Sequence, residues 1–319
     1  MKIIPIQVKT ERALKSFNFY LVQNNNDLVL IDAGYDTEEC WNGLLQALQN
    51  HQLHLTDITA IVLTHHHPDH VGLVNRIRKQ IDVPLYVHPE SVKRLTREPK
   101  FMEMRINFYK RLYQQAGCGA FGEKQIDRLQ RSKETNIGHR IEGELTLIDV
   151  AKPLFDFDLV ETPGHAPDQI ALQHDNMLIS GDLLIQHISS NALIEPDTNG
   201  NRLFTMQQHI HSLQTVQQLD VQTVYPGHGS VITNHQTLIH ERLQGIQQKA
   251  EHLRELMLQK PMSANELAIT MYQKRYESQF PLVMSEIIGH LDYMESKSMT
   301  MKTEKDGIFE FEPVFDHVK

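Results

Sequence analysis

The sequence has little cysteine and no long apolar run. Only two of its 319 residues are Cys, and Cys40 and Cys118 lie too far apart to form a C-x-x-C pair. This argues against a disulfide framework and is typical of a reducing compartment. No stretch approaches the roughly 20 apolar residues that span a bilayer, and the first residues lack the apolar core of a signal peptide. We therefore expect a cytoplasmic protein without a membrane partner.

Positive charge is also in short supply. Lys and Arg number 31 against 40 Asp and Glu, so the formal net charge is −9. A chain with this net negative charge repels polyphosphates unless it has a local basic patch. A nucleic-acid partner is therefore not expected. The hydrophobic share of 40% and the charged share of 22% are those of an ordinary globular protein. The length favours about two domains.

Histidine, by contrast, is abundant, with 19 residues, and neutral imidazole is the commonest metal ligand. A cluster of polar residues, His65-x-His67-x-Asp69-His70, follows an apolar strand that ends at Leu63. In a tight loop, alternate side chains point the same way. His65 and His67 can therefore converge on one ion, while Asp69 and His70 face a neighbouring point and His66 faces away.

Three more polar residues stand where strands should end, each beside a glycine that allows the backbone to turn. They are His165, Asp182 and His228. Taken singly, each is more often a solvated histidine or a turn aspartate than a ligand. Together with the cluster, and in this order, they predict a site for two cations that accept nitrogen and oxygen ligands.

The order of predicted strands and helices along the chain predicts the domain organisation. Strands alternate with helices over most of residues 1–240, which indicates an α/β layered domain. The alternation stops in a helical insertion, residues 90–145, where Glu90 to Glu144 contain twelve Lys or Arg and eight Asp or Glu. A linking helix is predicted at 241–260. Residues 261–319 read as two helices and a terminal hairpin, which indicates a small winged-helix-like domain.

These motifs resemble the metallo-β-lactamase superfamily over roughly residues 1–240. The matching segments are Asp32-Ala33-Gly34, Thr64 to His70, Pro163-Gly164-His165, Gly181-Asp182 and Pro226-Gly227-His228. The resemblance implies an αββα sandwich with two metal ions at one edge. It also implies the ligands: His65, His67 and His165 for the first ion, Asp69, His70 and His228 for the second, and Asp182 as the bridge. Asp32 would fix the metal loop from behind the ligands.

The ligand types imply a branch of the family. Asp182 and His228 resemble the glyoxalase II-like and nuclease-like hydrolases rather than lactamases with a Cys ligand, and His67 stands where flavodiiron oxygen reductases have Glu. Two ions that share a water lower its pKa toward ~7 and make a bridging hydroxide nucleophile. Asp69 could orient it. The ions are expected to be divalent, with zinc favoured and iron or manganese as alternatives.

The insertion is predicted to be a substrate lid, because long insertions in compact domains are usually functional. Its helix, Phe101 to Gln115, carries Arg105, Phe108 and Arg111, which we assign as contacts to an anionic substrate with an apolar chain. The alternative is that the apolar residues merely pack the insertion and its charges are solvated. Asp168, three residues after His165, either hydrogen-bonds a metal histidine or is an ordinary turn carboxylate.

The sequence therefore predicts a dinuclear metal-dependent hydrolase acting on a small anionic ester or thioester. The C-terminal module resembles the winged-helix tail of lactamase-β-like endoribonucleases, which raises RNA as an alternative substrate. Residues 261–319 contain six Lys or Arg and ten Asp or Glu, the wrong balance for gripping phosphates. We expect the module to pack instead against the catalytic domain or against a second subunit in a homodimer. The chain could also be a metal-bound signalling or effector protein without turnover, or a structural adaptor.

Overall fold

The computed structural model describes residues 1–11, 13–24 and 27–315 and consists of two compact units. The first unit contains residues 1–96, 140–190 and 212–239. The second contains residues 97–139, 191–211 and 240–319. This grouping differs from the predicted domains 1–240, 241–260 and 261–319, because residues 97–139 of the insertion and residues 191–211 group with the C-terminal segment. Among the helices of the described ranges, none has the length and apolarity needed to cross a bilayer.

Two sheets form the frame of the first unit. Its strands are β1 (Lys2–Lys9), β2 (Ser16–Asn24), β3 (Asp27–Ile31), β4 (Ala60–Val62), β5 (Leu85–Val87), β6 (Thr146–Leu147), β7 (Asp158–Glu161), β8 (Ile170–His174), β9 (Met177–Gly181) and β10 (Thr223–Pro226). The first six make one sheet in sequence order, and the other four make a second sheet in the order β10-β9-β8-β7. Strands β3 to β6 are parallel, so their carboxyl ends share one edge.

The helices follow in chain order. They are α1 (Glu38–Asn50), α2 (Pro68–Val71), α3 (Val74–Arg78), α4 (Val92–Leu95), α5 (Pro99–Gln115), α6 (Gly119–Thr135), α7 (Thr205–Gln217), α8 (His235–Leu256), α9 (Ala264–Tyr272), α10 (Lys274–Ser278) and α11 (Phe280–Ser296). Helix α1 begins where Thr37 caps it by accepting a hydrogen bond from the Cys40 backbone N–H. Its apolar face, with Trp41 and Leu44, is buried against the six-stranded sheet.

Two apolar layers hold the first unit together. One contains α1, α3 and one face of the six-stranded sheet. The other lies between the sheets, where side chains such as Ile31 and Val62 meet Ile170 and Ile179. With both faces of the central strands buried, those strands read as continuous apolar runs. Polar residues therefore stand out where the strands end.

In the second unit, helices from two distant parts of the chain share one apolar core. Phe108 and Leu112 of α5 belong to the same buried cluster as Leu267 of α9 and Ile287 of α11. A three-stranded sheet completes this unit, with β11 (Met262–Ser263), β12 (Thr300–Lys305) and β13 (Ile308–Pro313) in the order β11-β13-β12. The C-terminal helices and hairpin were predicted, but their assignment as a winged helix stays a prediction.

Candidate metal centre

All seven predicted ligands come together in the first unit. They form three groups whose ligand atoms lie within 4.8 Å of one another. The groups are His65, His67 and His165; His65, His70 and Asp182; and Asp69, His70 and His228. The first and third groups are the two ligand sets that the family resemblance implied. The structure thus brings together ligands that are widely separated in the sequence.

The carboxylate of Asp182 lies between the two ligand sets. One of its oxygens, Oδ2, is 3.4 Å from His165 Nε2 and 3.1 Å from His228 Nε2, and the other, Oδ1, is 3.3 Å from His70 Nε2. In the first set, His67 Nδ1 is 3.0 Å from His65 Nε2 and 2.9 Å from His165 Nε2. This arrangement suits a carboxylate shared by two ions.

The strand ends explain why these side chains meet. Thr64 to His70 follow β4, Asp32 follows β3, and Asp182 follows β9 directly. Gly181 turns the chain with φ of +50°, a conformation that favours glycine. Gly227 is required for a different reason. A Cβ atom there would lie 2.3 Å from Asp182 Oδ1, so a side chain would fill the space between the ligands.

Asp32 secures both ends of the metal loop. Its backbone takes φ of +58°, which Asp tolerates better than most residues. Its carboxylate accepts hydrogen bonds from the Thr64 backbone N–H at 2.7 Å and hydroxyl at 2.8 Å, and it lies 2.7 Å from His70 Nδ1. With Nδ1 engaged, Nε2 of His70 is directed at the site. Asp32 therefore lies where the resemblance placed it, behind the ligands.

Three further partners of the ligand histidines were not predicted from the sequence. His228 Nδ1 lies 2.8 Å from the Ser16 carbonyl oxygen, and His165 Nδ1 lies 3.1 Å from the Ser190 hydroxyl. The Thr64 hydroxyl lies 3.1 Å from His65 Nδ1. Thr64 is adjacent to its histidine, but Ser16 is 212 residues from His228. Such a contact exists only because the sheets align those segments.

Without bound metal, the electrostatics of the site favour neutral His65 and His67, and a protonated His70 beside the ionised carboxylate of Asp182. Burial and the adjacent rings hold the pKa of His65 and His67 well below its usual range. Burial would also lower the pKa of His70, but Asp182 and Asp32 raise it well above that range. Burial would raise the pKa of Asp182, yet His70 keeps it well below its ordinary value.

The donor set fits two divalent cations. Among the described residues, His70 Nε2, His228 Nε2 and Asp182 Oδ1 are buried and make no hydrogen bond. Buried polar atoms without a partner are costly, and here all three belong to residues that face one another at the strand ends. Imidazole nitrogens mixed with carboxylate oxygens suit zinc, iron and manganese. Bound ions would satisfy these atoms.

The predicted substrate contacts belong to the second unit, where two of them have other partners. The Arg105 Nε donates to Glu195 Oε2 at 2.9 Å, and Glu195 is almost fully buried. Phe108 is buried in the apolar core of that unit. Arg111 is exposed. The role of these three residues in substrate binding stays a prediction.

Comparisons with known proteins agree with this geometry. The family model described as the metallo-beta-lactamase superfamily matches residues 16–228. A probable metallo-hydrolase of Bacillus subtilis, YqjP, is 32% identical over 309 residues, which is 92% of each chain. An atrochrysone carboxyl ACP thioesterase of Aspergillus fumigatus is 24% identical over 72% of this chain and 56% of that protein.

A solved structure of similar fold covers nearly the whole chain. A metallo-beta-lactamase family protein of Thermus thermophilus superposes with a TM-score of 0.78, at 23% identity over 98% of both chains. This confirms the predicted α/β fold class. The family match spans every predicted ligand and most of the two sheets of the first unit. The chain therefore belongs to the metallo-β-lactamase superfamily.

Proposed function

We propose that this chain is a dinuclear metal-dependent hydrolase acting on a small anionic ester or thioester. The observation that carries the proposal is the position of the Asp182 carboxylate. It lies within 3.4 Å of ring nitrogens from both ligand sets. A carboxylate in that position can hold two ions close enough to act on one substrate group.

Each ligand set would hold one ion. His65, His67 and His165 would bind the first, and Asp69, His70 and His228 the second. When bound, the ions would supply an activated water at neutral pH and an electrophile for the carbonyl oxygen. We favour zinc, with iron and manganese as alternatives.

We assign to Asp69 the role of accepting the proton of the attacking water. Its Oδ2 lies 3.5 Å from His228 Nε2, and its side chain is 18% exposed, unlike the buried Asp182. A carboxylate that reaches both the ligands and solvent can orient a water and accept its proton.

The cysteines support a reaction without a thiol nucleophile. Cys40 and Cys118 are both buried. Burial raises the pKa of the Cys40 thiol, and it raises that of Cys118 to about 12. A thiol is a poor nucleophile when it stays protonated, so hydrolysis at the histidine and aspartate cluster is the simpler interpretation.

Two observations support the ester or thioester class. The ligand types resemble the glyoxalase II-like hydrolases, and the Aspergillus fumigatus relative is described as a thioesterase. The preference for an anion depends on the positive balance of the predicted insertion. Arg105 is already paired with Glu195, so Arg111 is the predicted contact whose charge is exposed.

The test is a hydrolysis screen on protein reconstituted with Zn²⁺, Mn²⁺ or Fe²⁺. We expect about two equivalents of metal per chain and turnover of thioesters or esters that stops when a chelator removes the metal. Acyl thioesters, lactones and phosphodiesters would be compared at equal concentration.

Three different outcomes would replace the proposal. Cleavage of phosphodiesters without cleavage of esters would favour RNA as the substrate. Two bound metals without turnover of any substrate class would favour a signalling or effector protein. Metal content well below two equivalents after reconstitution would exclude the dinuclear site.

A further inference from the structure

His66, which stands between two ligands, is paired with a buried aspartate. Its Nδ1 lies 2.6 Å from Asp168 Oδ1. The Asp168 side chain is completely buried, whereas that of His66 keeps 13% of its surface exposed. His66 is in none of the ligand groups of the described residues. The sequence predicted that His66 faces away from the ions, but it did not identify this partner.

The pair joins the two loops that carry one ligand set. His66 lies between His65 and His67, and Asp168 is three residues after His165. At the base of the same loops, the Ile170 backbone N–H donates to the Thr64 carbonyl oxygen at 2.9 Å. The side-chain pair is thus a second connection, nearer the ligands.

The other ligand set is secured differently. Asp32 engages His70, and the Ser16 carbonyl oxygen engages His228. These two contacts do not involve the loop that carries His165. A loss of the Asp168 carboxylate should therefore weaken one ligand set more than the other.

The geometry of an extended segment explains how the pair could act. His67 has extended backbone angles, φ of −66° and ψ of 149°, and successive side chains of an extended segment point in opposite directions. Holding His66 on one side keeps its neighbours on the other. Without an ion, the ring nitrogens of His65, His67 and His165, at 2.9 and 3.0 Å, can separate unless the loops are tied together.

We propose that Asp168 is a positioning residue which, through His66, preorganises the ligand set of His65, His67 and His165 for metal binding. The inference deepens the proposed function, since it requires that this set binds an ion. It assigns Asp168 neither of the roles predicted from sequence, a bond to a metal histidine or a turn carboxylate.

The test measures Zn²⁺ affinity of each ligand set separately, by chelator competition on metal-free protein. A His228→Ala background leaves the set of His65, His67 and His165, and a His67→Ala background leaves the other. Asp168→Ala should weaken Zn²⁺ binding about tenfold in the first background, the lower end of the effect of groups behind metal ligands. In the second background the change should be under about twofold. Asp168→Asn, which keeps an acceptor oxygen, should fall between wild type and Asp168→Ala.

A matched control removes another carboxylate that faces a histidine in the same unit. Glu161 Oε1 lies 3.2 Å from His88 Nε2, and Glu161→Gln should leave both Zn²⁺ affinities unchanged. The melting temperature of each metal-free variant reports whether the fold is altered. With Asp168→Asn we expect it to stay close to wild type.

Three results would overturn the inference. They are unchanged Zn²⁺ affinity in both backgrounds, equal losses in both, and a loss that only accompanies a lower melting temperature of the metal-free protein. If the otherwise unaltered chain binds two metals and one of these results is found, the inference alone fails. If it does not bind two metals, the proposed function fails first.

Discussion

Two carboxylates of the second unit and the metal-site residues of the first unit differ in how their charge is compensated. In the second unit, the nearly buried Glu195 is bonded by Arg105 and by the Tyr109 hydroxyl. The half-buried Glu286 is likewise paired with Lys249 and accepts a hydrogen bond from the Tyr272 hydroxyl. Each of these carboxylates has its own cation and a phenol. The unit therefore balances these charges internally.

In the first unit, several buried polar groups face one another and remain without hydrogen bonds. Within the described ranges, His70 Nε2, His228 Nε2 and Asp182 Oδ1 are such atoms. Polar groups that a fold buries, orients toward one another and leaves without a hydrogen bond are typical of functional sites. The contrast separates charge that stabilises a unit from charge that is arranged for a ligand.

The strongest test of this contrast is removal of the shared carboxylate. Asp182→Ala should reduce metal content below one equivalent, because it removes the group that compensates both ions. The rate of ester or thioester hydrolysis should fall by at least about a thousandfold, more than the roughly 10–100-fold typical of residues behind the ligands. Elemental analysis and kcat/KM measure both effects. Asp175→Ala, at an exposed position in the same unit, is the control, and normal metal content in Asp182→Ala would contradict the bridge.

In the second unit, removal of a cation should affect stability instead. Arg105→Met leaves Glu195 buried without its guanidinium, and breaking such a pair costs about 3 kcal/mol. The free energy of unfolding in urea, measured on metal-free protein, should fall by about that amount while Zn²⁺ affinity stays constant. Arg111→Met, at an exposed position of the same helix, should change it by less than about 0.5 kcal/mol. A large loss of Zn²⁺ affinity in Arg105→Met would contradict the view that this ion pair serves stability and not metal binding.

A further expected effect is a dependence on pH. In metal-free protein the pKa of His70 and of His228 is raised, mainly because Asp182 offsets the effect of burial. Their protonation stabilises the fold fully below the unfolded pKa of about 6.5, and this stabilisation is lost as pH rises through the folded pKa. Metal binding requires neutral histidine. Zn²⁺ affinity should therefore rise with pH over the range in which the stability of the metal-free protein declines. The expected rise is about tenfold per pH unit for each proton released on binding.

Urea unfolding and chelator competition between about pH 5 and pH 9, a range that spans the ordinary histidine pKa, would measure the two trends. In Asp182→Ala the decline in metal-free stability should flatten, because the carboxylate that raises both pKa values is gone. Stability and affinity that rise together with pH would contradict this account.

The residues of the candidate metal centre could be found in the sequence because their signal is local. His65, His67, Asp69 and His70 lie within six residues, and a glycine stands beside each of the distant ligands. Strand ends bring such residues together whatever the intervening sequence does. The αββα class followed from the same motifs and is confirmed by the solved structure of similar fold.

The composition of the second unit could not be predicted, because it depends on contacts distant in sequence. The apolar face of α5 was interpreted as the lining of a lid, but Phe108 packs in one cluster with C-terminal residues such as Leu267. An amphipathic pattern predicts that one face of a helix is buried, but it does not identify the residues that pack against that face. Helix α6 was not predicted as a separate helix. Gly117 and Gly119 are typical of a helix end, and they do follow α5, but α6 begins directly at Gly119.

Arg105 illustrates the same limit for a charged residue. In sequence it is one of several basic residues on a helix, and its partner Glu195 is 90 residues away. The sequence does not identify this carboxylate partner, and the role of Arg105 as a substrate contact stays a prediction.

The backbone of Asp32 shows how narrow the chemical choice at one position can be. The left-handed turn at φ of +58° favours glycine, asparagine and aspartate. Glycine has no acceptor, and asparagine offers one carbonyl oxygen where the Thr64 and His70 contacts use both carboxylate oxygens. Aspartate alone meets both demands. We therefore expect almost every substitution of Asp32 to be deleterious. Another residue could hold the metal loop only if the backbone turn at position 32 also changed its conformation.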